Sequence, residues 1–400
     1  MIPRAWTGRL LLIAVAAVAT LHPSGIQGAP GTKRIAFLVD SWYPRSHADV
    51  IGTRFLEGYR VGDRRYASMV TVASVYAEAP RPSDQTRALS SRFGFRVAAS
   101  VAEALLEDPR AARPRLAVDG ILVATRADPP PNGQDASPSP RLQLMREVFR
   151  ILDQADARVP IFIDKMLATN QADAQAIVAG AAQRSIPLMA GSVLPFMPLD
   201  RPMRAGTAVV GVVVGAGPYW AYAFHAAELL QGYMEQRGPR ETGVASIRGV
   251  SGDAASLSEG EQWGGSLLPA LLSSAKTRGS GGGRRESPVF LQISYLDGAR
   301  GLLALLPRAF DEAEFLLGAK FQDGGTSIGG VMLKGEPFDH FGYLVHALQE
   351  FYTTGRPPVP VERTLLTTGI VLLGQEARLR GTSLATPGLA IRYPAPRWRP

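Results

Sequence analysis

Residues 159–192, VPIFIDKMLATNQADAQAIVAGAAQRSIPLMAGS, constrain the fold more tightly than any other part of the chain. Residues 159–163 form a short apolar run of the kind that a sheet covered on both faces buries. Asn170 then precedes a helical stretch with Asp173 three residues on, which is an N-terminal cap with a carboxylate near the positive end of the helix dipole. Ala174, Ile177, Val178, Ala181 and Ala182 recur at helical spacing, and residues 186–189 resume an extended apolar segment. A strand–helix–strand unit of this type delivers Asp164, Lys165 and Met166 to the carboxyl end of a parallel strand, where open α/β sheets bind ligands. Lys165 is one of only five lysines in the chain, so its position at a strand end points to a ligand-facing role.

The same alternation extends in both directions. Residues 34–39, 70–76 and 118–125 read as buried strands. Helices are expected over 49–59, over 86–93 up to Gly94, over 101–106 behind Ser100, and over 142–155. Residues 127–140, rich in Pro, Ser, Asn and Gly, read as a loop. Strands alternating with helices predict a parallel, doubly wound, Rossmann-like sheet. After about residue 198 the pattern changes. A glycine-interrupted strand (208–215) leads into a long amphipathic helix (222–236). Strand-like segments follow at 243–250, 289–296 and 313–318, separated by a glycine-rich loop at 279–284. Helices at 341–352 and 362–379 close the chain. Clustered strands predict an α+β domain with a largely antiparallel, open-faced sheet. The expected division is a Rossmann-like domain over 29–197 and an α+β domain over 198–400, and 400 residues suit two such units.

The amino terminus stands apart. Arg4 and Arg9 precede an uncharged run at 10–19, and small residues follow at Gly28 and Ala29. This is the layout of a secretory signal peptide over 1–28, with no twin-arginine pair ahead of the apolar run. The expected location is therefore periplasmic or extracellular, with no membrane span once the signal is cleaved. Removal of this segment lowers the formal charge from +8 to +6. The remaining arginines are dispersed and form no basic strip, so nucleic acid is not an expected partner. Cysteine is absent, which excludes disulfides, thiol catalysis and cysteine metal sites. His340 and His346 are spaced poorly for a metal, and no metal is expected. No nucleophile elbow, zinc-protease helix, Walker loop or calcium loop occurs.

Four segments taken in order carry a family resemblance. IDKMLATNQADAQAIVAGAAQRSIPLMAG resembles the Glu-Lys-Pro segment, helix and following strand of the Gfo/Idh/MocA (glucose-fructose oxidoreductase and inositol dehydrogenase) family. SVYAEAPRPSDQTRALSSRFGFRVAASVAEALLEDP with VDGILVAT is similar to that family's second strand through its third strand and acidic helix. GPYWAYAFHAAELLQGYM resembles the histidine-bearing helix that opens its second domain. RPPVPVERTLLTTGIVLLGQEARLRGTSLATP is similar to its closing helix and tail. The resemblance covers most of residues 33–395. It implies a Rossmann domain followed by a domain whose sheet face often pairs in homo-oligomers, and hydride transfer between NAD(P) and a sugar, polyol or related compound without a metal. It also maps the substrate-segment lysine to Lys165 and the proton-transfer histidine to His225, the two expected catalytic residues.

The chain departs from that pattern where the dinucleotide would bind. A pyrophosphate needs glycines between the first strand and helix so that backbone amides can approach it. Those positions fall near Val39, Ser41 and Pro44, and no glycine occurs from Arg34 to Ile51. Pro44 removes an amide donor, and Trp42 and Tyr43 are bulky. Tyr76 stands where a carboxylate would hold the ribose, with Glu78 displaced from that point. Asp164 and Met166 replace the glutamate and proline that flank the lysine, and Ala221 replaces an aspartate one turn before His225. The expectation is a remodelled site with no cofactor, binding a small polar, carbohydrate-derived ligand between the domains. Its expected ligand-binding residues are Ser41, Tyr43, Arg45, His47, Asp164 and Ser192. A working NAD(P)-dependent oxidoreductase, or a structural protein using the open sheet face, are the alternatives.

Overall fold

The computed structural model describes residues 32–126, 139–204, 206–250, 263–277, 279, 287–307, 309–311 and 313–396. The expected signal peptide, residues 127–138 of the expected loop, and residues 280–284 of the glycine-rich loop lie outside them.

The first domain follows the strand–helix alternation. It runs β1 (Lys33–Val39), α1 (His47–Glu57), β2 (Tyr59–Val61), β3 (Arg64–Tyr66), β4 (Val70–Ala77), α2 (Thr86–Phe93), β5 (Arg96–Ala98), α3 (Val101–Leu105), β6 (Gly120–Ala124), α4 (Pro140–Gln154), β7 (Ile161–Asp164), α5 (Gln171–Gln183) and β8 (Leu188–Gly191). Six strands pair in the order β5-β4-β1-β6-β7-β8, all parallel. The sheet is buried on both faces: Ile35, Ala36, Phe37, Leu38 and Val39 have no exposed surface, as continuous apolar strands require. The expected caps form. The Asn170 side chain accepts the Asp173 amide, and Ser100 accepts that of Glu103. One expectation is corrected: α1 ends at Glu57 rather than 59, because the chain turns at Gly58 and Tyr59 pairs with Tyr66 in the β2–β3 hairpin.

The second domain comprises β9 (Ala208–Gly215), α6 (Tyr219–Met234), β10 (Arg240–Glu241), β11 (Val244–Val250), α7 (Leu267–Ser274), β12 (Val289–Tyr295), β13 (Arg300–Leu305), β14 (Glu314–Phe321), β15 (Thr326–Met332), α8 (Phe341–Thr354), α9 (Val361–Arg380), β16 (Ser383–Ala385) and β17 (Tyr393–Pro394). Its seven-stranded sheet has the order β15-β14-β9-β13-β12-β11-β16. All pairings are antiparallel except β9 with β13. The sequence reading passes over β13 and β15. β13 follows β12 after a tight turn, and β15 carries two adjacent glycines that dilute its apolar pattern.

α6 and α9 pack on one face of this sheet. On the other face α7 lies over β9 and β14, and Leu267, Leu268 and Leu271 share a core with Val210, Val212, Val214, Phe290, Leu302 and Leu316. α8, from the second half of the chain, returns to the first domain. It packs on α1 and β2, its Tyr352 hydroxyl donates to the Ile121 carbonyl at 3.0 Å, and its Gln349 side chain accepts the Met69 amide. The two domains are therefore tied by helices as well as by one continuous core that includes Phe37 and Val213.

Candidate functional site

A cleft of about 310 Å³ opens at the carboxyl ends of β1, β6 and β7. Tyr43, Arg45, His47, Asp164 and Lys165 line it together with Asp40, Arg81, Thr125 and Arg126. Five of the eight expected site residues thus converge there. Their sequence separation is bridged by the parallel sheet, which brings the turn after β1 next to the end of β7.

Lys165 directly follows β7 and adopts the left-handed conformation, φ 64°. Its backbone is held against Gly191, with the Lys165 amide donating to the Gly191 carbonyl at 3.0 Å. A non-glycine residue in this region costs on the order of 1–2 kcal/mol, so the surrounding structure imposes the conformation. Its ammonium makes no hydrogen bond or salt bridge to any side chain among the described residues. Beside it, the buried Asp164 carboxylate accepts from His47 Nδ1, whose distance to Oδ2 is 2.8 Å. Burial alone would raise the Asp164 carboxyl, but His47, Lys165 and Arg141 outweigh it and hold its pKa below the usual value. Arg141, buried at the start of α4, donates to the carbonyls of Asp164, Met166 and Thr125. It thereby fixes the ends of β6 and β7 that carry the site.

His225 sits on α6 with its Nδ1 2.6 Å from the Ser192 hydroxyl. Its ring centroid is 6.2 Å from that of His47, but neither His225 nor Ser192 lines the cleft itself. Burial, then the positive charge of Lys165 and His47, hold the His225 pKa well below 6.5, so the imidazole is neutral at neutral pH. Where the resemblance implies a carboxylate one turn before this histidine, the structure has one a turn after it. Glu228 is buried, accepts the Ser192 amide at 3.3 Å and receives the Thr367 hydroxyl. Glu228 therefore supports His225 indirectly, through Ser192.

The turn between β1 and α1 has no glycine, and its amides are engaged. Each backbone amide it possesses from residue 41 to 46 is already bonded within the turn, to Asp49 or to Asp84. The Ser41 amide donates to Asp40 at 2.9 Å, Trp42 to Asp84 at 2.7 Å, Tyr43 to the Ser46 hydroxyl at 3.3 Å, Arg45 to Asp49 at 2.8 Å, and Ser46 to the Tyr43 carbonyl at 3.0 Å. Pro44 has none. The Asp49 carboxylate, in the first turn of α1, places a negative charge where a phosphate would meet the helix dipole. Trp42 is fully buried, stacked between Phe37 and Phe95 and packed against Gly52, where a Cβ would come within 2.4 Å of the indole. These residues do not fit a dinucleotide pyrophosphate.

Ser41 is corrected by the same geometry. Its hydroxyl donates to Asp84, accepts the Arg81 amide and has no exposed surface, so it supports the turn instead of facing the cleft. Ser192 is likewise buried on His225. Glu78, next after β4, does not line the cleft either. Among the lining residues, sequence reasoning missed Arg81 and Arg126. Arg81 lies in a proline-flanked connector with no periodicity, and only the fold brings its guanidinium over the Tyr43 ring, 4.6 Å from the centroid. Among the described residues no group of acidic or histidine side chains could hold a metal.

The parallel six-stranded domain followed by the mixed seven-stranded sheet is the two-domain fold of Gfo/Idh/MocA-type dehydrogenases. Structures similar to this chain include GenD2 from gentamicin A biosynthesis in complex with NAD (TM-score 0.57, 15% identity, covering 91% of this chain and 99% of that one). A probable dehydrogenase from Thermotoga maritima (0.56, 14%, 89% and 99%) is also similar. So is scyllo-inositol dehydrogenase from Lactobacillus casei, solved with NAD(H) and scyllo-inositol (0.56, 9%, 88% and 99%). At these identities the likeness is one of fold. No protein-family model and no curated protein matches the sequence.

Proposed function

We propose that this chain is an exported protein on an oxidoreductase-like fold whose cofactor turn has been rebuilt, and that it binds a small polar, carbohydrate-derived ligand in the cleft beside Lys165. The observation that carries this reading is the internal bonding of the turn amides to Asp40, Asp49, Asp84, Ser46 and Tyr43. It removes the backbone donors that a pyrophosphate requires, while the cleft at the strand ends persists. Its volume is at the small end of ligand sites, which run from about 300 to 1,000 Å³, and so suits a monosaccharide better than a dinucleotide. Lys165 holds the ligand from a fixed backbone. His47, oriented by Asp164, presents its other ring nitrogen as an acid or base. His225 backs it as a neutral imidazole. Export rests on the leader-like residues 1–28, and no helix among the described residues is long and apolar enough to cross a membrane.

The second reading, an NAD(P)-dependent oxidoreductase, draws on the GenD2 and scyllo-inositol dehydrogenase structures, both solved with the cofactor. Calorimetric titration of the mature protein with NAD(H) and NADP(H) separates the two. No heat of binding is expected up to millimolar cofactor, and micromolar affinity for either would restore the dehydrogenase.

A further inference from the structure

The charge of the cleft says more about the ligand than its size does. Four cationic side chains, Arg45, Arg81, Arg126 and Lys165, line it against two carboxylates, Asp40 and Asp164. Asp164 is committed to His47, and Arg45 is paired with Glu336 at the rim, 2.8 Å away. Lys165 and Arg81 are left without a salt bridge to any carboxylate among the described residues. Arg81 is nonetheless not a loose surface chain. Its guanidinium is stacked on Tyr43, which fixes the plane of the group and leaves its N–H edge to bond an anion. Lys165 reaches the same cleft from the β7 end, on a backbone locked by Gly191. Because the amides beneath are bonded to Asp49 and Asp84, a negative group entering this cleft is held by side chains and not by the turn.

Resting on the ligand-binding reading above, we propose that the cleft selects sugars that carry an anionic group, a carboxylate or a phosphate, bound jointly by Lys165 and Arg81. The two cations provide the discrimination. A neutral sugar leaves neither side chain bonded to a carboxylate, whereas an acidic sugar converts both into charge-assisted hydrogen bonds.

The test is calorimetric titration of the mature protein with D-glucuronate, D-galacturonate, glucose 6-phosphate, glucose and myo-inositol, at low and high salt. At least one acidic sugar is expected to bind about tenfold or more tightly than glucose, and to weaken as salt rises. Preference for the uronates over glucose 6-phosphate, or the reverse, identifies the anion. Arg81→Gln, at an exposed position, and Lys165→Met are each expected to lower that affinity about tenfold and to narrow its margin over glucose. Glucose or inositol binding as tightly as the acidic sugars would overturn charge selection and leave the ligand-binding reading standing. Failure of every sugar, acidic and neutral, would overturn both. Acidic-sugar affinity unchanged in Arg81→Gln and in Lys165→Met would remove these two residues as its source and overturn the proposal.

Discussion

His47 Nδ1 lies 2.8 Å from the Asp164 carboxylate, joining the first turn of α1 to the last residue of β7 across 117 positions of sequence. The contact orients the imidazole, offsets the upward push of burial on the Asp164 carboxyl, and sets one wall of the cleft beside Lys165. Removing the carboxylate should be felt in both stability and binding. Asp164→Ala is expected to cost about 1–3 kcal/mol, as the loss of a buried charge-assisted pair does, and to abolish ligand affinity. Urea unfolding and the ligand titrations above measure the two effects separately.

The Asp49 carboxylate lies in the first turn of α1, where it would repel a phosphate. It accepts the Arg45 amide, the Trp42 indole N–H and the Thr53 hydroxyl. Asp49→Ala is therefore expected to destabilise the protein by about 1–2 kcal/mol. It should not create NAD(P) affinity, because Pro44 and the Asp84-bound Trp42 amide remain. A denaturation midpoint and a cofactor titration on the same variant check both halves.

Gly191 has φ 134°, and a Cβ there would lie 2.6 Å from Glu228 Oε2 and 3.1 Å from Thr364 Oγ1. Both the backbone conformation and the lack of space exclude a side chain. Gly191→Ala is expected to cost at least about 1–3 kcal/mol and to disturb the neighbouring Ser192–His225 bond, which the histidine ring signals in an NMR spectrum would report.

The buried histidines should respond to acid above the carboxylate range. Burial lowers the pKa of His225 well below 6.5 and that of His340 to about 4. The unfolded chain, with ordinary histidines, therefore binds more protons than the folded one as pH falls through 6.5. The stability these two groups contribute declines from that point and levels off, for His340, below about pH 4, at up to about 1.4 kcal/mol per pH unit per group. Asp164 acts in a separate window. Its folded pKa lies below 3.8, so its contribution is present above that pH and is lost only as pH falls further. Burial raises the Glu235 carboxyl to about 7 and also raises that of Glu228, which adds stability as pH falls through the histidine window. The histidine contribution is therefore read as a difference: relative to the parent protein, His340→Gln is expected to gain stability in urea unfolding as pH falls from 6.5 to 4.

On the outer face of the second sheet α7 of the same chain covers β9 and β14, with Leu271 fully buried against Gly318. Pairing of subunits over β9 and β14 on that face would require α7 to leave. Light scattering on the mature protein is expected to show a monomer. Leu271→Asp, which places an unpaired charge in this small core, should loosen the helix and promote association through the uncovered sheet.

The sequence alone determined the α/β class, the approximate places of the first domain's main strands and the helix caps at Ser100 and Asn170, because apolar periodicity and capping are local signals. It also determined that the phosphate turn lacks glycine, and it singled out Lys165, whose scarcity and place after an apolar run are written in the primary structure. Only the tertiary structure decided which of the chosen residues share a cleft. Ser41 and Tyr43 are two positions apart, yet one hydroxyl is turned onto Asp84 and the other ring lies under Arg81. Arg81, Arg141, Glu228 and the return of α8 to the first domain carry no local pattern at all. Their roles depend on contacts between segments tens to hundreds of residues apart, and such contacts exist only once the parallel sheet has set the ends of its strands side by side.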